Sequence, residues 1–220
     1  MALKALIFDF DGLMVDTEQS IFDAYCKIFA EHDAVLPLST WEGIIGSTGH
    51  RDRIFADLEQ QIGRAVDRDE LRERARREHH GISSQLPAVD GVAAQIMDAQ
   101  RLGLALGVAS SSTVAWVHGH LRRLGLIHHF QSLCTREDVT EVKPDPEIYA
   151  LAASRLGVEP REAVALEDSP NGIASAKAAG LFCVAIPNPL TANMSLDAAD
   201  MLVPTLTALS LDDISVRLRD

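Results

Sequence analysis

The chain has 220 residues, 47% of them hydrophobic and 24% charged, enough for one large domain or one domain carrying a small insert. A net charge of -12 argues against a nucleic-acid partner, which needs clustered Lys and Arg, but leaves anionic substrates open because a bound cation can make one pocket positive. No apolar run approaches the ~20 residues that cross a bilayer, and Ala5 to Phe8 is too short for a secretory leader, so a cytoplasmic protein without a membrane partner is expected.

Ala5 to Phe8 reads as a short buried strand ending at Asp9. After a turn at Gly12, Ile21, Phe22, Tyr25, Ile28 and Phe29 recur at helical spacing. Ser39 with Glu42 forms a capping-box pattern for a second helix. Ile54, Phe55, Leu58 and Ile62 stripe a third, closed by Gly63, and Asp67 with Glu70 caps a fourth that runs to about His80. Residues 18–86 thus contain helices and no convincing strand.

From Asp90 onward the pattern alternates. A helix over Gly91 to Leu102 precedes a strand over Leu104 to Ala109, and a helix over Thr113 to Leu124 precedes a short strand near Ser132 to Cys134. Asp145 can cap the next helix with Pro146 at its first position. A strand over Ala163 to Leu166, a helix from Ser169-Pro170 to Gly180, strands at Phe182 to Ile186 and Met201 to Val203, and a helix after Ser210 complete the chain. This alternation predicts a doubly wound α/β fold: a parallel sheet, built from 1–17 and 87–220, with helices on both faces. The helical block, 18–86, is expected as a small all-helical cap domain inserted after the first strand. Cys26, Cys134 and Cys183 lie in hydrophobic segments with no CxxC pair, so buried reduced thiols are expected.

Ligands of open parallel sheets bind beyond the carboxyl ends of the strands, so the polar residues that follow each strand are the candidates for chemistry. Asp9 and Asp11, two residues apart in an extended segment, can face one ligand, and two adjacent carboxylates favour a cation or a shared proton. One could attack while the other shuttles a proton, and Gly12 allows a tight turn with N–H groups facing phosphate oxygens. Ser110, with Ser111 and Ser112, can hold phosphate oxygens, although serines also cap helices. Lys143, set beside Pro144, can neutralise a transferring phosphoryl group, although a solvated turn fits equally. Glu167 and Asp168 can supply oxygens to Mg2+, although Asp168 could simply cap the following helix.

Together these segments resemble the motifs of the haloacid dehalogenase superfamily, in the branch that holds β-phosphoglucomutase and many sugar-phosphate phosphatases. Asp9 to Thr17 matches the first motif and Ala109 to Ser112 the second; Lys143 to Pro146 matches the third, and Leu166 to Ser169 with Gly172 the fourth. The resemblance covers nearly the whole chain and implies a Rossmann-like core with a helical cap. It further implies that Asp9 attacks phosphorus and that Asp11 protonates the leaving oxygen and then activates water. Mg2+ would bind Asp9, the Asp11 backbone carbonyl and Asp168, with Glu167 as a ligand or a supporting partner, while Ser110 and Lys143 hold the phosphoryl oxygens. These roles suit phosphoryl transfer, which needs chiefly positioning and charge neutralisation.

In the cap, the segment from Gly46 to Arg51 is the candidate for substrate contact through Arg51 and His50, by its position in the resembled cap. The basic run from Arg72 to Arg77, interleaved with glutamates, reads as a solvated helix face. A dehalogenase needs neither a second carboxylate nor a metal, so Asp11, Glu167 and Asp168 argue against one. The resembled mutase carries a histidine where Ile21 stands here, which favours hydrolysis of a small phosphorylated metabolite, a sugar phosphate being expected, over mutase chemistry. Thr17-Glu18 is common among the branch's phosphatases. A non-catalytic phosphometabolite-binding protein is the remaining alternative, and a monomer is expected.

Overall fold

The computed structural model describes residues 2–42, 45 and 52–218. Six strands form one parallel sheet: β1 (Ala5–Phe8), β2 (Ala105–Ala109), β3 (Ser132–Cys134), β4 (Ala163–Glu167), β5 (Phe182–Ala185) and β6 (Met201–Leu202). Their spatial order is β3-β2-β1-β4-β5-β6. The chain first winds outward from β1 through β2 to β3, then returns to the far side of β1 and winds the other way. β1 is therefore the centre, and the crevice beside it is the switch point at which such sheets bind ligands.

Strand side chains alternate between two faces. Leu6 and Phe8 join Leu106, Val108, Val164, Leu166 and Val184 in one core layer, covered by α5 (Val92–Arg101), α6 (Val114–Arg123) and α9 (Leu211–Arg217). Ala5 and Ile7 join Ala109, Ala163, Ala165, Cys183 and Ala185 in the other, covered by α7 (Glu147–Arg155) and α8 (Pro170–Ala178). Each fully buried Leu, Ile or Phe in these layers contributes roughly 1.5–3 kcal/mol.

The segment between β1 and α5 is helical, as expected: α1 (Thr17–Glu31), α2 (Leu38–Glu42), α3 (Asp52–Ile62) and α4 (Arg68–Ser83). It has a core of its own, in which Ile21, Tyr25, Ile28 and Phe29 of α1 meet Trp41, Ile54, Phe55, Leu58, Leu71 and Ala75. Leu190, from the segment after β5, seats against this cluster and ties it to the sheet. Lys27–Glu78 (3.1 Å) and the Arg74–Glu31 pair bridge α1 and α4.

Two helix starts differ from the sequence reading. α2 opens at Leu38, with the Pro37 carbonyl accepting from Thr40 N at 3.1 Å, so Ser39 lies inside the helix instead of capping it. α7 opens at Glu147, one residue late, but Asp145 Oδ1 still accepts from Glu147 N at 2.9 Å. Asp67 caps α4 as expected, accepting from Glu70 N at 3.0 Å. Cys134 and Cys183 are buried free thiols, whereas Cys26 is only half-buried.

Candidate active site

Three strand ends assemble the site. β1 runs into Asp9, whose N–H still donates to the Leu166 carbonyl of β4 at 2.9 Å, and β2 runs into Ser110, whose N–H donates to the Cys134 carbonyl at 3.0 Å. Both side chains are thereby fixed by ladder bonds at the crevice. Beyond Asp9 the chain folds back at once: Met14 N donates to Phe10 O (2.9 Å) and Gly12 N to Val15 O (2.8 Å). Gly12 adopts φ +83°, and a Cβ there would collide with the Asp168 carboxylate, so glycine is required on both counts.

Lys143 is 4% exposed, which removes the solvated-turn reading. Its ammonium donates to Asp9 Oδ1 at 2.5 Å and Glu167 Oε1 at 2.6 Å, and it lies 4.8 Å from the centre of the Tyr149 ring. Tyr149 Oη donates to the same Glu167 oxygen at 2.6 Å. Ser175 of α8 holds the Lys143 turn from behind, donating to the Asp145 carbonyl at 2.6 Å. Glu167 is fully buried over Gly172, where any Cβ would run into the carboxylate.

The helix-capping alternatives also fall away. α8 is capped by Ser169, which accepts from Gly172 N at 3.2 Å, leaving the Asp168 carboxylate free of that task. Asp168 Oδ2 instead accepts from Asn188 Nδ2 at 2.6 Å. α6 is capped by Thr113, so Ser110 is likewise not spent on a helix end. Ser111 Oγ is buried, lines the cavity and has no hydrogen-bond partner among the described residues.

Carboxylate oxygens of Asp9, Glu167 and Asp168 all lie within 4.8 Å of one another. Burial, then the Glu167 charge, pushes the Asp9 carboxyl up to about 7 against the pull of Lys143. Burial, then the Asp9 charge, lifts Asp168 well above the ordinary carboxylate range. For Lys143 burial acts downward, but the two carboxylates outweigh it and hold the ammonium charged. Two buried carboxylates that resist ionisation side by side form the donor set of a hard divalent cation, so the residues fit a metal ion. Because Glu167 Oε1 is already shared by Lys143 and Tyr149, Asp9 and Asp168 are the freer ligands.

Asp11 stands apart from that trio. Its Oδ1 accepts from Thr17 Oγ1 (2.7 Å) and Trp116 Nε1 (2.8 Å), and its Oδ2 from Ser112 Oγ (2.6 Å) and, at a longer 3.4 Å, Ser110 Oγ. Asp9, Asp11, Ser110, Ser111, Lys143 and Asp168 all line one cavity of about 640 Å³, roofed by the helical insert. Arg51 and His50, with the rest of Gly46 to Arg51, lie outside the described residues. The basic run is not uniformly a solvated face: Arg72 and Arg76, one helical turn apart on α4, line the cavity with His79 and His80.

The sequence reading missed Asn188, Trp116 and Tyr149. Asn188 follows β5, so the strand-end rule applied once more points to it. Trp116 and Tyr149 fall in helical stripes that read as ordinary packing.

Residues 6–186 match the sequence pattern of the family described as Haloacid dehalogenase-like hydrolase. The chain belongs to this family. Among its relatives, YhcW of Bacillus subtilis (strain 168), whose name marks a candidate phosphatase, is 44% identical over 95% of this chain and 94% of its own. Validoxylamine A 7'-phosphate phosphatase of Streptomyces hygroscopicus subsp. limoneus is 32% identical over 93% and 94%. The crystal structure of CbbY from Rhodobacter sphaeroides in complex with phosphate superposes with a TM-score of 0.76 at 29% identity, covering 94% of this chain and 96% of that one. The hydrolase fold thus extends over the helical insert as well as the sheet.

Proposed function

We propose that this chain is a Mg2+-dependent phosphatase of a small phosphorylated metabolite, a sugar phosphate, working through a phosphoaspartate on Asp9. The observation that carries the reading is the buried Lys143 ammonium, in contact with Asp9 and Glu167 at 2.5 and 2.6 Å beside Asp168. Isolated buried charges are costly, and an arrangement that collects four of them at one strand-end crevice is explained by a reaction that needs them.

Asp9, Asp168 and the Asp11 backbone carbonyl would hold the cation, which neutralises phosphoryl charge when bound. Lys143 keeps Asp9 ionised as a nucleophile and meets a phosphoryl oxygen, while Ser110 and the unpartnered Ser111 Oγ receive others. An Asp9 oxygen bonds to phosphorus as the ester bond breaks, and the leaving oxygen takes a proton from Asp11. Water then attacks phosphorus, returns a proton to Asp11 and releases Asp9. The helical insert acts as a cap that closes over the site and limits access of water.

A cavity of about 640 Å³ suits a metabolite larger than phosphate. Trp41 Nε1, buried on the insert side and without a partner among the described residues, is a donor available to a substrate oxygen, and Arg51 is assigned to the same end. The name of one relative, a phosphatase of validoxylamine A 7'-phosphate, supports the class. Hydrolysis is favoured over the mutase reaction because buried, apolar Ile21 occupies the cavity wall where the resembled mutase has a histidine. Binding without chemistry is disfavoured because every reactive position is filled. We take the enzyme to act as a cytoplasmic monomer, in keeping with its buried free thiols.

Purified protein should hydrolyse p-nitrophenyl phosphate only with Mg2+, and Asp9→Asn should cut turnover at least about a thousand-fold without lowering the melting temperature. Metal-independent turnover, or an active Asp9→Asn variant, would contradict the reading; phosphate binding without turnover would favour the non-catalytic alternative.

A further inference from the structure

Trp116 is the third residue of α6, and its indole N–H points at Asp11 Oδ1 from 2.8 Å. Its ring is held on several sides. His79 of α4 lies 4.9 Å away at 30°, His80 lies 5.8 Å away at 86°, and His120, one turn along α6, lies 4.4 Å away at 65°. His79 is itself fixed by Ser20 Oγ at 2.8 Å from its Nδ1. With the ring packed in this way, Trp116 is not an open platform on which a substrate ring could stack, and what it offers the cavity is the N–H.

An indole N–H can only donate. Asp11 Oδ1 is therefore reserved as an acceptor whether or not the carboxyl carries a proton. The partners of Oδ2 are different in kind: Ser112 and Ser110 are hydroxyls, which can turn to accept as readily as they donate. A proton on Asp11 is consequently compatible with Oδ2 and incompatible with the Trp116 contact at Oδ1. Oδ2 is also the oxygen on the side of Ser110, the residue assigned to the phosphoryl group.

We propose that Trp116 is a positioning residue for Asp11, whose N–H reserves Oδ1 as an acceptor so that proton exchange with the substrate runs through Oδ2. The inference rests on the acid/base reading of Asp11 given above. As the ester P–O bond breaks, its electron pair stays on the leaving oxygen, which takes the Oδ2 proton; as water bonds to phosphorus, its proton returns to Oδ2 and the Asp9–phosphorus bond breaks.

The test compares two leaving groups. p-Nitrophenolate departs without a proton, whereas a sugar alkoxide needs one, so kcat/KM for p-nitrophenyl phosphate is indifferent to the acid step and kcat/KM for a sugar phosphate is not. Trp116→Phe keeps an aromatic ring and removes the N–H. It should lower kcat/KM about ten-fold for glucose 6-phosphate, or whichever sugar phosphate of a panel is turned over fastest, as expected for one lost hydrogen bond to a charged group. It should leave p-nitrophenyl phosphate within about two-fold. The ratio of the two values is independent of the fraction folded, and benzothienylalanine at position 116, which keeps the shape and replaces only the N–H, serves if Phe disturbs packing. Equal losses on both substrates, or no loss on either, would overturn the inference. Asp11→Asn should show the same split more deeply; if that variant turns over the sugar phosphate normally, the acid/base reading fails and takes the inference with it, whereas a split in Asp11→Asn alone overturns only the role of Trp116.

Discussion

Lys143 sets the charge balance of the site, and Glu167 sets Lys143. The Glu167 carboxylate is fully buried, receives both the Lys143 ammonium and the Tyr149 hydroxyl on Oε1, and is backed by Asp168 N at 3.2 Å on Oε2. With its oxygens engaged in this way, its task in our reading is to aim the lysine, and Asp9 and Asp168 bear the metal. Glu167→Gln retains an acceptor but loses the charge that helps hold Lys143. It should lower kcat about ten-fold while moving the half-saturating Mg2+ concentration by less than about two-fold, as for a residue that orients functional groups without ligating the metal. A Mg2+ titration of turnover checks this, and a ten-fold or larger rise in the Mg2+ requirement would make Glu167 a direct ligand.

At the scale of elements, periodicity and strand-end chemistry carried most of the fold. Every strand expected from an apolar run is present, because a fully buried parallel strand is an apolar run and little else resembles it at that length. Helix starts were less legible. Ser39-x-x-Glu42 has the composition of a cap, yet Pro37, already suited to a helix entry, takes that place one turn earlier. Asp168 and Ser169 were both plausible caps in sequence, and only the structure separates them: the shorter hydroxyl caps α8, and the carboxylate is left for Asn188. Trp116 and Tyr149 were opaque for another reason. Their polar atoms meet Asp11 and Glu167 across 105 and 18 residues, and a contact of that kind depends on how helices seat on the sheet, which no local pattern encodes. Arg72 and Arg76 looked solvated because glutamates surround them in sequence, yet a one-turn spacing lets both line the cavity while their neighbours pair outward.

The whole molecule balances this site against its stability. Asp9 and Asp168 both hold protons more tightly when folded than an ordinary carboxylate does, Asp9 up to about 7. Between roughly pH 4 and pH 7 the folded chain thus binds more protons at these groups than the unfolded one, so their contribution to stability falls as pH rises through that window. Lys143, held above its ordinary value, stays charged throughout and adds no slope there. A cation at the trio offsets the repulsion, so Mg2+ should raise the melting temperature more at pH 8 than at pH 5, where protons already do the work. Equal Mg2+ shifts at both pH values would mean that the cation does not bind at these carboxylates, and Asp168→Asn should flatten both dependences.

The account stands on a covalent bond between Asp9 and phosphorus, and one measurement addresses it directly. Asp11→Asn, given p-nitrophenyl phosphate and Mg2+, should form the acyl phosphate but release it slowly, since no proton is needed for departure while the water step lacks its base. Acid quenching, borohydride reduction and peptide mass spectrometry should then find homoserine at position 9. Reduction at another carboxylate, or at none while p-nitrophenol is released, would contradict the mechanism.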